Sequence, residues 1–384
     1  MKTGNSKTNK VLNRNTVLKM LALNAPVSRI ELSKITGLTK MSLTNIISEF
    51  MDKGYVKEIG LDLSAAGKRK PILLELNDCA IKSIGINITR TYTEGCLFDI
   101  KGKVISREKV TYDFITKEEL EEIILNLVEY FIKNNPDVLG IGVSAVGPID
   151  SENGIILNPT NFYGIENVKI TELLKSRFDV PVYLRKNTVC SVLAEKYYGT
   201  AKNEQNFAVI NITHGVGCCG VVNGRILTGK NGHACEIGHL SIDLNGEKCA
   251  CGNRGCLEIY ANIPSAVKFY SNLLGKSSGN HDFSEVTEGY LKGEKNAVET
   301  INNMAKYVAA GIINAINIFD PETVILSGPV CSLGEKFLEK VKGNVGTVPI
   351  PSSRDTAKIL FSSFGDDASL IGSAVLVFEN EIYL

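Results

Sequence analysis

Through the first fifty residues the apolar positions recur at helical spacing, and they then give way to the alternation of strands. From Asn15 to Leu23, Val17, Leu18, Leu21 and Ala22 fall on one stripe, and Pro26 ends the segment. Ser28-Arg-Ile-Glu31 has the form of a capping box, in which the serine hydroxyl takes the amide of residue 31 and the glutamate reaches back. Gly37 supplies the positive φ that stops this second helix, and Thr39 caps a third. In the third, Leu43, Ile46, Ile47, Phe50 and Met51 keep the i, i+3, i+4, i+7, i+8 pattern. Beyond Gly54, residues 55–59 and 71–76 predict an extended hairpin.

The rest of the chain carries one pattern twice. Residues 83–106 and 207–228 each read strand, turn, strand, tight turn, strand, and Ile-Asn-Ile-Thr occurs in both, at 86–89 and 210–213. Helical segments follow, such as 117–133 and 304–319. The order predicts two α/β lobes facing a cleft, with strands ending at ligand-facing turns. The expected division is a head at 1–77 and a body at 78–384. Lobe 1 takes about 78–199 with 366–384, and lobe 2 about 200–365.

Length and composition agree with several soluble domains: 384 residues exceed one ordinary core, and 44% hydrophobic with 22% charged residues is a globular composition. The zero net charge conceals a split. Residues 1–77 hold 13 Lys/Arg against 6 Asp/Glu, and the remainder 29 against 36. A basic head that meets a polyanion follows from this. The polar start, MKTGNSKTNK, lacks a secretory pattern, and no apolar run approaches membrane-spanning length, so a cytoplasmic setting is expected.

In a reducing compartment, grouped cysteines read as metal ligands. His239, Cys249, Cys251 and Cys256 lie within 18 residues among glycines, a set suited to a closed tetrahedral structural zinc site. In the head, Lys40, Ser42, Thr44, Asn45 and Ser48 share the polar face of the third helix. These are short groups and one cation, suited to base edges and phosphates in a major groove. Lys68, Arg69 and Lys70 at the hairpin tip would meet the phosphates or minor groove. Helix-turn-helix plus basic wing predicts double-stranded DNA as a partner.

From about Asn15 to Ala374 the chain resembles the ROK family (repressors, open reading frames and kinases), and its repressor branch in particular. The resemblance rests on the helix-turn-helix with its Gly-Lys-Arg-Lys wing and on Glu236-Ile-Gly-His239 followed by Cys249-Ala-Cys-Gly-Asn-Arg-Gly-Cys-Leu-Glu258. Residues 143–150, 223–225 and 320–328 support it. It implies an α/β chain in which a winged helix-turn-helix precedes a two-lobed, actin-like, sugar-kinase-like body with a structural zinc loop. It further implies a repressor of a carbohydrate-utilisation operon, a homodimer or homotetramer, released by a sugar inducer, with xylose the first to test. By position, the implied sugar contacts are Glu236, His239, Glu258, Asn187 and Asn161.

The same comparison speaks against phosphoryl transfer. Where family kinases carry D-x-G-G-T, this chain has Asn87-Ile-Thr-Arg-Thr91, and Asn187 stands in place of the catalytic aspartate. An amide cannot act as the base, and losing one costs roughly 10²–10⁴-fold. Lys186 replaces a sugar-binding asparagine and favours an acidic or phosphorylated ligand. Two alternatives stay open at this point: a sugar kinase with a DNA-binding appendage, and a repressor controlled by a partner protein.

Overall fold

The computed structural model describes residues 6–64, 70–77, 81–275, 281–346 and 357–383. The head begins with helix α1, Ser6–Asn24, which starts nine residues earlier than the apolar stripe indicates. Strand β1 (Val27–Ser28) leads into α2 (Arg29–Thr36), with both halves of the Ser28–Glu31 capping box formed and Gly37 at φ 69° ending the helix. In α3 (Lys40–Asp52), Thr39 accepts from the Ser42 amide, and Leu43, Ile46, Ile47 and Phe50 are buried. Strands β2 (Val56–Leu61) and β3 (Ile72–Leu76) pair antiparallel, and β1 adds to β3, giving a three-stranded winged sheet.

The body holds two five-stranded sheets with corresponding strand orders. In the first, β4 (Lys82–Ile88), β5 (Tyr92–Asp99) and β6 (Val104–Thr111) form a meander. The parallel strands β7 (Ile141–Ala145) and, past a small sheet of β8 (Ile149–Asp150), β9 (Ile155–Ile156) and β10 (Val168–Lys169), β11 (Val182–Lys186) extend it. The order is β11-β7-β4-β5-β6. In the second, β12 (Phe207–Ile212), β13 (Val216–Val222) and β14 (Arg225–Ile226) form the meander. β15 (Thr323–Ser327) and β16 (Lys358–Phe361) then add in parallel, giving β14-β13-β12-β15-β16. Asn223 and Gly224, both at positive φ, make the tight turn before β14. Asn87 and Asn211 thus occupy equivalent places on equivalent strands.

Helix α4 (Lys117–Asn134) covers the first sheet through Leu120, Ile124, Leu127, Val128 and Phe131. The corresponding helix of the second sheet, α10, runs Lys295–Phe319, longer than the 304–319 stripe because its first turns also bury Ala297, Thr300 and Ile301. Helix α6 (Asn187–Tyr197) and the wholly buried C-terminal helix α12 (Ala368–Phe378) pack together beside the first sheet. The approach is close: a Cβ on Gly372 would lie 1.7 Å from the Cys190 carbonyl oxygen.

One apolar cluster joins the head to this pair, running from Val17, Leu21, Leu43 and Leu74 to Phe98, Tyr197, Ala374 and Ile382. At the seam Lys19 donates to the Tyr383 carbonyl at 2.7 Å, and Tyr383 stacks on Tyr197 with centroids 4.4 Å apart. No helix among the described residues is long and apolar enough to cross a membrane.

Candidate functional sites in the head and the cleft

Lys40, Ser42, Thr44, Asn45 and Ser48 are all exposed along α3. The packing of Leu43, Ile46, Ile47 and Phe50 against the head turns this face outward. The Thr44 hydroxyl donates to the Lys40 carbonyl at 2.8 Å, so it meets a partner chiefly as an acceptor or through its methyl. Met41, which polarity alone did not single out, is 77% exposed beside them and offers the apolar contact that a thymine methyl takes. Lys70 stands at the base of the wing, its ammonium 3.2 Å from the Leu63 carbonyl. Lys68 and Arg69 lie outside the described residues.

Between the lobes is a cleft of about 270 Å³ whose wall includes Thr160, Lys186, Asn187, Glu236, His239 and Glu258. Asn161 is exposed at φ 58° and is not among the lining residues; its neighbour Thr160 takes that place. Glu236 precedes and His239 ends the short helical turn Ile237–His239. Glu258 opens α7 (Glu258–Ala261) and accepts from the Val216 amide at 3.1 Å. Asn187, the first residue of α6, accepts from the Thr188 amide at 2.9 Å through its side-chain oxygen.

Lys186 does not stand ready for an anion. Its stem lies 3.3–3.6 Å from where a Cβ of Gly147 would be, and its ammonium is ion-paired with Glu236 across the cleft. The cation added by the sequence is thus balanced by the acid of Glu-Ile-Gly-His.

The ligand atoms of His239, Cys249, Cys251 and Cys256 lie within 4.8 Å of one another. The Cys251 and Cys256 sulfurs are 3.7 Å apart; a tetrahedral ion with bonds of about 2.3 Å separates sulfurs by roughly 3.8 Å. The His239 Nδ1 is 3.9 Å from the Cys249 sulfur, and the same residue lines the cleft. The donor set and spacing therefore fit a four-coordinate metal, carried on the loop between Glu236 and Glu258.

The two Ile-Asn-Ile-Thr turns meet beside this cleft. In the first, the Thr89 hydroxyl accepts from the amides of Thr91 (3.3 Å) and Tyr92 (3.0 Å). Arg90 donates through Nε to the Thr160 carbonyl at 2.9 Å. Burial pulls the Arg90 guanidinium below its ordinary value, an effect the Glu258 carboxylate opposes. Burial and then Arg90 lower the His214 imidazole. Arg90, Asn87, Asn211, Pro329 and Asp366 help to wall a chamber of only about 100 Å³, and burial raises the Asp366 carboxyl. The Asn87 and Asn211 amide oxygens are buried with no hydrogen-bond partner among the described residues.

Comparison with known proteins brings head and cleft together. Residues 83–380 match the ROK family model. The chain is 28% identical over 375 residues to the xylose repressor of Bacillus subtilis (strain 168), spanning 97% of this chain and 96% of that protein. It is 27% identical over 385 residues to the DNA-binding transcriptional dual regulator NagC of Escherichia coli (strain K12), spanning 97% and 94%. The crystal structure of a ROK family transcriptional regulator, homolog of the E. coli MLC protein, superposes with a TM-score of 0.83 at 26% identity, over 98% of this chain and 97% of that one. A ROK family glucokinase from Streptomyces griseus, solved with glucose and AMPPNP, shares the fold with a TM-score of 0.71 at 24% identity, over 77% of this chain and 98% of that one.

Proposed function

The chain belongs to the ROK family, and from that premise we propose that it is a DNA-binding transcriptional repressor of a carbohydrate-utilisation operon, released when a sugar enters the cleft. The observation that carries this reading is the winged head itself: a capped helix pair turns a largely polar face outward, on a core shared with the sugar-kinase-like body. Full-length similarity to repressors supports it, since the likeness to the xylose repressor spans the head as well as the body.

In this reading residues 1–77 grip the operator. Lys40, Asn45 and their neighbours on α3 read the major groove, and the wing with Lys68, Arg69 and Lys70 meets the backbone. The two lobes of residues 78–384 receive the sugar through Glu258, Asn187 and the Nε2 of His239, with Glu236 beside them. The metal is zinc, and it supplies a structural cross-link that holds the loop bearing both glutamates. The assembly is a homodimer or homotetramer, as two half-sites on duplex DNA require of a symmetric reader.

The body is not a kinase in this reading. Phosphoryl transfer needs free amides around the phosphates and a base for the attacking hydroxyl. The Thr91 and Tyr92 amides are taken by Thr89, the Val216 amide is taken by Glu258, and Asn187 holds the base position.

The test is titration of purified protein against promoter fragments from its own genomic neighbourhood, followed by fluorescence anisotropy over a salt series. Binding is expected to weaken steeply with salt, to fall about tenfold or more in Asn45→Ala, and to reverse with a sugar such as xylose. Salt-insensitive binding, or ATP-dependent phosphorylation of a sugar, would overturn the proposal.

A further inference from the structure

The cleft does not end at the proposed sugar contacts. A second chamber, of about 550 Å³, shares the Lys186 and His233 side chains with the first as a common wall. One side comes from lobe 1, from the small sheet and the end of β11 at Arg185. The other is the 228–233 loop of lobe 2, including Lys230. The first space, of about 270 Å³, has room for one sugar ring, and the adjoining space is twice as large.

The lining of the adjoining space mixes groups that glycans use. Ile149, Leu157 and Val189 offer an apolar floor; Arg185, Thr228 and Lys230 offer donors. Its charges cancel: Arg185 and Lys230 stand with Asp150 and Glu152, and Lys186 is paired with Glu236. Asp150 keeps its negative charge, because the Asn153 side chain and the amides of Asn153 and Glu152 hold its carboxyl below the ordinary range. A phosphate or carboxylate entering here finds no unbalanced cation, whereas a neutral polyol finds donors, acceptors and an apolar face.

We propose that the two chambers together form the receptor for a neutral glycoside of at least two sugar units, with one ring against Glu236, His239 and Glu258 and the next over Val189 between Arg185 and Lys230. The proposal rests on the reading of the cleft as a sugar receptor. Lys186 then marks the junction of the two rings, and it selects for chain length rather than for negative charge.

The experiment is calorimetric titration of the full-length protein with xylose, xylobiose, glucose, cellobiose and glucose 6-phosphate. At least one disaccharide is expected to bind ten times or more tighter than its own monosaccharide, and glucose 6-phosphate no tighter than glucose. Val189→Phe, which fills the floor of the adjoining space, is expected to bring the disaccharide down to the monosaccharide's affinity while leaving the latter unchanged. Lys230→Ala, on an exposed loop, is expected to do the same more weakly should the first variant fold poorly. Equal affinity for one and two rings, tighter binding of the phosphate, or equal losses for both sugars in the variants would overturn this inference and leave the sugar-receptor reading standing. If none of the sugars bound to protein that still bound promoter DNA, both would fall.

Discussion

Two turns with the same frame, Thr89–Tyr92 after β4 and Thr213–Val216 after β12, have been put to opposite uses. The first has no glycine and closes on itself, its own threonine hydroxyl taking two amides while Arg90 crosses to Thr160. The second keeps Gly215 and gives its Val216 amide to Glu258, two residues beyond Cys256 of the His/Cys cluster. One turn is a plug and the other a mount. In the proposed non-kinase reading, the first turn is closed to an incoming anion because its N–H groups already have an acceptor within the turn.

The comparison breaks most visibly if the mount is dismantled. Stripping the metal with a chelator, or replacing Cys256 by alanine, is expected to cost about 3 kcal/mol or more, hence roughly 10 °C in melting temperature. Sugar affinity should disappear with it, with metal content followed by atomic emission. Glu258→Gln is a finer cut: it keeps an acceptor for the Val216 amide but removes the charge, and sugar affinity is expected to fall about 10–100-fold by calorimetry. Gly215→Ala works from the other side. Its Cβ would lie 2.5 Å from a Glu258 carboxylate oxygen, so the acid must move, and a loss of roughly tenfold (about 1.4 kcal/mol) is expected with the fold intact. The smallest effect belongs to the plug. In Arg90→Ala, sugar affinity is expected to stay within about threefold (under 1 kcal/mol) and ATP turnover to remain at background, since Asn187 still lacks basicity. Turnover in that variant would show that bulk alone had silenced the first turn.

What the sequence made legible was short-range. Ser28 with Glu31, Gly37, Thr39 and the apolar row of α3 specify the head through contacts three or four residues apart, and they form as read. The His239–Cys256 set is equally compact, and its donors do converge. The misjudged charge was long-range. Lys186 reads as a free cation until the fold carries Glu236, fifty residues away, into contact with it. No periodicity encodes that pairing, just as none marks the Thr89 hydroxyl as the acceptor for its own turn. Helix ends were obscured for a related reason: the 304–319 stripe stops short because the first turns of α10 bury small residues, Ala297 and Thr300, that carry little periodic signal.

The apolar seam between head and body sets how this molecule must be handled. An excised N-terminal fragment would bare the flank of α1 where Lys19 meets Tyr383, and the isolated body would bare the matching bed around Tyr197. Calorimetric scans of the intact chain should accordingly give a joint endotherm for the head and the first lobe. Reporter fusions or footprinting with a truncated reader would sample a damaged object.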